Sequence, residues 1–194
     1  MTDFIFYFKI GWSHIISKDA LDHLYFISLL SIVYRFVDWK KVLILVTAFT
    51  IGHALTLFMS VLDLVRISES YVEFAIPCTI IITAVVNLYR RNELSQTNSI
   101  HYGMALFFGL IHGLGYANTI RFMLASDQNI LASLFSFNLG LESGQIFVVL
   151  LILFLVWVTG KIRLFTHRDL VMFFSVIILS FSFKMAIERF PFFQ

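Results

Sequence analysis

The sequence predicts an all-α, polytopic membrane protein: six transmembrane helices in one bundle, preceded by a short N-terminal interfacial segment. Three observations lead there. Of the 194 residues, 59% are hydrophobic and 13% charged, where soluble domains carry about 45–50% apolar and about 25% charged residues. Mean hydropathy is +0.88. Six segments approach the roughly 20 mostly apolar residues that a helix needs to cross a bilayer.

The opening "MTDFIFYFKIGW" has Asp3 in place of a basic n-region, a very short apolar block and no small-residue cleavage site. It is therefore expected to be retained rather than removed as a secretory signal, as an interfacial helix with Trp12 at headgroup level. The six spans are expected at 21–37, 41–62, 71–89, 101–120, 130–158 and 169–187, within one domain covering 1–194. Short polar connectors part them: "RFVDWKK", "DLVRISES", "YRRNELSQTNS", "RFMLASDQN" and "GKIRLFTHRD". Arg35, Lys40, Lys41, Arg90, Arg91, Lys161, Arg163 and Arg168 fall on one side, and Lys9, Lys18, Arg66, Arg121, Lys184 and Arg189 on the other. Eight basic residues against six favour both termini outside the cytoplasm.

A net charge of +2 is too small and dispersed for nucleic-acid binding. Cys78 is the only cysteine, which excludes an intramolecular disulfide and a cysteine metal cluster; it reads as a small packed core residue.

Ionisable residues inside apolar spans are costly and each is a functional candidate. Asp22 and His23 open the first span, His53 sits in the second, Glu73 opens the third, His112 lies in the fourth, and Asn138, Glu142 and Gln145 lie in the fifth. With a rise of about 1.5 Å per residue, Asp22, His23 and Glu73 lie near the terminal-side surface, with His53 and His112 about 12 Å and Glu142 about 18 Å below it. His53 and His112 share one half of the membrane. The other half offers Asn87 and a few Ser and Thr; Asn87, nearly on the Glu73 face, either continues a path or caps the helix end. His101 and His167, at the opposite ends of their helices, read as interfacial residues.

Asn138, Glu142 and Gln145 share a helical face by their i, i+4, i+7 spacing. Gly140 with Gly144, and Gly109 with Gly113 beside His112, form GxxxG pairs that permit close helix approach. Pro77 either kinks its helix or leaves the Glu73 carbonyl free for another donor or a cation. His14 and His23 are nine residues apart and point to opposite sides of a continuous helix, so both serve one site only if the chain breaks between them. "SKDALDH" permits that break, with Ser17 or Asp19 as N-cap. Asp19 reads as a cap with a supporting polar role, Asp22 as part of the site.

Four histidines with carboxylates and no useful cysteine form a nitrogen/oxygen ligand set. Imidazole suits Zn, Ni, Cu and Fe, whereas carboxylates alone suit Mg or Ca. A proton relay would use the same residues.

"GWSHIISKDALDHLYF", "TAFTIGHALTL", "VEFAIPCTIIITAVVN", "FFGLIHGLGYA" and "FNLGLESGQ", in this order, resemble the hydrogenase/urease accessory membrane proteins of the HupE/UreJ type, over about residues 10 to 150. Lys18 and Asp19 lengthen the interval between His14 and the Asp22–His23 pair relative to the family's commoner form. The resemblance implies a multi-pass protein of the bacterial inner membrane that handles a divalent transition metal, usually nickel. By matching motifs it carries over His14, Asp22, His23, His53, Glu73, His112, Asn138 and Glu142.

Three functions follow as expectations. The first is a divalent metal permease (Ni or Zn), with His14, Asp22 and His23 as an outer capture site and His53, Glu73, His112 and Glu142 as the deeper one. The second is an intramembrane zinc hydrolase acting on lipid or peptide, with Glu73 or Glu142 as base, although neither HExxH nor a nucleophile elbow is present. The third is a scaffold or metal sensor. Expected partners are the bilayer, the metal ion, and a second copy or an accessory membrane protein, but no nucleic acid.

Overall fold

The structure, a computed structural model, describes residues 2–17, 20–90, 99–124, 129–162 and 166–191, and all regular structure among them is helical. The helices are α1 (Thr2–Ile16), α2 (Leu21–Ile32), α3 (Trp39–Val61), α4 (Glu69–Tyr89), α5 (Ser99–Leu124), α6 (Ile130–Ile162) and α7 (His167–Glu188), with a 3-10 turn at Phe36–Asp38 ahead of α3.

Among the described residues, four helices are long and apolar enough to cross a membrane: α3 with its leading turn, α4, α6 and α7. Phe154, Trp157, Phe173 and Phe183 are about half exposed or more. His23, His53, His112 and Gln145 are buried. Apolar rings outside and imidazoles inside is the arrangement expected when the surrounding solvent is lipid. α5 spans 26 residues but carries His101, His112, Asn118 and four glycines, which dilute its hydropathy.

The first expected span is where sequence and structure differ most. α2 has 12 residues, about 18 Å of helix, which is too short to cross alone. The expected 21–37 helix ends at Ile32 because Arg35 turns extended before the 3-10 turn. The N-terminal segment does not lie apart from the bundle. α1 packs lengthwise on α6: Ser136 Oγ donates to the Phe4 carbonyl, a Cβ on Gly140 would collide with the Phe8 carbonyl, and one on Gly11 with the Phe137 carbonyl. Position along α1 rises with position along α6, so the two run parallel. α2 continues the same course, its end at Ile32 clustering with Ile152 and Val156 of α6. α1 and α2 are thus two pieces of one interrupted path. Trp12 is partly buried and packs against the half-exposed Phe147 of α6, with ring centroids 5.7 Å apart.

α3 and α5 form the second close pair, also parallel. A Cβ on Gly109 would meet the Phe49 carbonyl, and one on Gly113 the His53 carbonyl and the Thr56 hydroxyl. Here the GxxxG spacing serves backbone contact. α4 runs antiparallel to α7, with Phe74 against Phe190 at 5.3 Å, and to α5, with Ile76 beside Gly115. One buried apolar cluster draws on all seven helices.

At the α3–α4 connector, Asp63 has a positive φ of 62°. Arg66 binds its carboxylate and Arg121 lies 3.3 Å away; Arg66, chiefly, holds the Asp63 carboxyl below the usual range.

Candidate metal centre

His14 stands in the last turn of α1 and His23 in the first turn of α2. Between them the helix ends: Ser17 N–H still reaches the Ser13 carbonyl (2.9 Å), and Ala20 N–H then reaches only Ser17 (3.2 Å). That interruption removes the phase difference that would hold the two imidazoles on opposite sides, and their ring centroids lie 4.7 Å apart. The expected cap is not what starts α2. Its N-cap position is Ala20, without a side-chain cap, and Asp19, like Lys18, lies outside the described residues. Asp22 does the work instead. Its Oδ1 accepts from the His23 backbone N–H at 2.8 Å and lies 3.1 Å from His23 Nδ1, so a proton on Nδ1 leaves Nε2 as the free donor atom.

His53 comes from the middle of α3 and is fully buried. Its ring centroid lies 6.1 Å from that of His14 and 5.9 Å from that of His23. His14, His23 and His53 each present a ring nitrogen, all within 4.8 Å of one another. A tetrahedral ion with metal–nitrogen bonds of about 2.0–2.1 Å needs nitrogens about 3.4 Å apart, so each imidazole would move inward by less than about 1 Å.

The hydrogen-bond inventory points the same way. Buried imidazole nitrogens without a partner are His14 Nε2, His23 Nε2, both nitrogens of His53, and His112 Nδ1. Buried polar atoms are normally satisfied, and five orphans on four neighbouring rings define a place for a ligand with vacant orbitals. All-nitrogen donors suit Ni, Co, Cu or Zn over Mg or Ca.

His112 adjoins the trio, 5.1 Å from His23 by centroids, but its Nε2 is engaged at 3.1 Å by the Thr79 hydroxyl. The enclosure is aromatic. Tyr116 lies against His14 at 4.1 Å, Phe49 against His112 at 5.2 Å, and Phe137 against His53 at 6.4 Å. Phe26, 5.5 Å from His112, stands between the imidazoles and a small cavity of about 60 Å³ that it lines together with Leu45, Thr83, Asn87, His101 and Phe108 among others.

Of the carboxylates, Asp22 touches His23, whereas Glu73 and Glu142 stand outside the three-imidazole group. Glu73 Oε2 lies 2.9 Å from Arg189 Nη1, which is also 3.6 Å from Asp22 Oδ2. Glu142 accepts from the Thr47 hydroxyl at 2.7 Å, and Gln145 Oε1 from Thr50 at 2.7 Å. The shared face of Asn138, Glu142 and Gln145 thus meets α3, with Asn138 beside His53 and its amide donating to the Leu134 carbonyl. Outside the centre, His167 contacts the Ile32 carbonyl (2.8 Å), His101 contacts Arg90 (3.2 Å), and Asn87 donates to the Leu29 carbonyl (2.8 Å).

Sequence reasoning missed Thr47 and Thr50, although Thr50 falls on the His53 face, three residues before it. It also missed Thr79, Tyr116 and the role of Arg189, which carries no local signal.

Compared with known proteins, residues 1–189 match the family model described as HupE / UreJ protein. No curated protein and no solved structure matches the chain.

Proposed function

Because this chain belongs to the HupE/UreJ family, membrane proteins associated with nickel and cobalt handling, we propose that it is a permease for a divalent transition metal of the nickel type. The ion is held by His14, His23 and His53, with Asp22 fixing the His23 ring and His112 beside the group. The chain crosses a bacterial inner membrane six times, the first crossing being the interrupted α1–α2 path, and both termini lie outside the cytoplasm.

The observation that carries this reading is the convergence of three imidazole nitrogens within 4.8 Å in a buried aromatic shell. A discontinuous helix whose broken ends meet at a polar site is a recurrent way to build a transport site. The ion arrives from the side of Asp22 and Glu73 and leaves past Phe26 toward the Asn87 cavity. Nickel over zinc follows from the family association rather than from donor type, since imidazole serves both. The hydrolase alternative needs a carboxylate free to act as base at the metal. Glu73 is taken by Arg189 and Glu142 by Thr47, which favours transport.

The test is metal content of the detergent-purified protein after incubation with Ni²⁺, Co²⁺ or Zn²⁺, followed by uptake into proteoliposomes. One ion per chain, lost in His53→Ala, together with uptake by wild type only, is the expected result. A wild type that binds no metal, or uptake unchanged by His53→Ala, refutes it.

A further inference from the structure

Arg189 stands at the meeting point of α2, α4 and the end of α7, and the expected function gives it nothing to do. Its guanidinium lies between two carboxylates, 2.9 Å from Glu73 and 3.6 Å from Asp22. Asp22 in turn touches His23. Side-chain exposure falls steadily along this series: 32% at Glu73, 28% at Arg189, 11% at Asp22 and 5% at His23. A cation approaching the imidazoles from this face meets the carboxylate pair first and finds a cation already there.

We propose that Arg189 is a tethered competitor: its guanidinium occupies the outer carboxylate pair at rest, and a divalent cation reaches His14, His23 and His53 by displacing it. This rests on the metal-permease reading above. Two carboxylates and one guanidinium leave one excess negative charge, which attracts a further cation. The held contact is also imperfect. Nη1 is buried yet has no aligned hydrogen-bond partner, whereas a locked arginine–carboxylate pair is bidentate and aligned. A divalent ion with twice the charge competes well against such a contact. The displaced side chain has a route outward, because Arg189 is the residue that caps the end of α7. Phe190, packed on Phe74, keeps the backbone in place while the side chain swings.

The experiment is stopped-flow association of Co²⁺ with purified full-length protein, scored against equilibrium stoichiometry. Arg189→Gln is expected to bind the same amount of Co²⁺ with an association rate about tenfold higher, as removal of a like charge from a charged access path predicts. Arg189→Lys keeps the charge and is expected within about threefold of wild type. If Arg189→Gln does not fold, Arg189→Met, which keeps the packing of the stem, provides the same comparison. A neutral variant that binds the same amount at the wild-type rate or more slowly overturns the competitor role and leaves the permease reading standing. A purely structural arginine would instead lower stoichiometry and thermal stability in the neutral variant, which also overturns it. If neither wild type nor variant takes up Co²⁺, the permease reading fails and this inference with it.

Discussion

Asp22→Asn isolates how the centre is tuned. Asp22 sits 3.1 Å from His23 Nδ1 and also accepts from the His23 backbone N–H, with 11% of its side chain exposed. Asparagine has the same size and still offers an oxygen to both donors, so the start of α2 is kept. What it loses is the negative charge that strengthens Nε2 as a donor once a cation binds there. Removing a carboxylate behind a metal-bound imidazole typically costs about 10–100-fold in affinity, or about 1.4–2.8 kcal/mol. The competing pull of Arg189, 3.6 Å from Asp22 Oδ2, puts the expected value toward the lower end. The assay is competition for Ni²⁺ or Co²⁺ against a chromophoric chelator, with a thermal melt of the metal-free protein alongside. The expected result is weaker binding with the metal-free melt almost unchanged. Unaltered affinity would show that Asp22 does not act through His23. A loss as large as that of His53→Ala would make Asp22 a direct ligand, refuting the arrangement argued above.

Other perturbations address different parts of the structure. Gly140→Val forces α1 away from α6 at the Phe8 carbonyl; overpacking of this kind costs about 1–3 kcal/mol, and both the melting temperature and metal stoichiometry are expected to fall, because α1 carries His14. Thr50→Val leaves the buried Gln145 Oε1 without its donor at a cost of about 1–3 kcal/mol, whereas Thr50→Val with Gln145→Leu is expected to be nearer neutral; additive losses in melts of the single and double variants would contradict this. His112→Gln is expected to weaken metal binding by less than about tenfold and His14→Ala to abolish it, since His14 belongs to the group of three whose ring nitrogens lie within 4.8 Å of one another and His112 stands beside that group. Phe26→Ala, which removes the ring between the imidazoles and the Asn87 cavity, is expected to speed uptake while leaving metal stoichiometry unchanged; slower uptake with intact binding would rule out this exit route.

Much of the protein could be read from its composition and periodicity. Long apolar runs identify α3, α4, α6 and α7 because crossing a bilayer is a one-dimensional requirement, met by any 20 apolar residues in succession. The glycines of α5 and α6 announced close packing for a similar reason, since four-residue spacing puts them on one face. The five ordered motifs placed the chain in its family, and four of the polar positions they contain supply the orphaned imidazoles. The need for a break between His14 and His23 was also legible, being a matter of helical phase.

Other features depended on how distant segments come together. That the break is real follows from α1 and α2 packing in succession along α6, more than 100 residues away in sequence. Glu73 could be placed near the terminal-side surface from its depth, yet depth says nothing about azimuth, and only the end of α7 brings Arg189 against it. His53 and His112 share a depth, but a threonine from α4 engages one and leaves the other bare. The sequence by itself determined that this chain belongs in a membrane and which side chains are too costly to be there without purpose. Which of them meet, and with which counter-charge, was decided by tertiary packing, because each of those contacts joins residues whose separation is set by the path of the backbone and not by any local repeat.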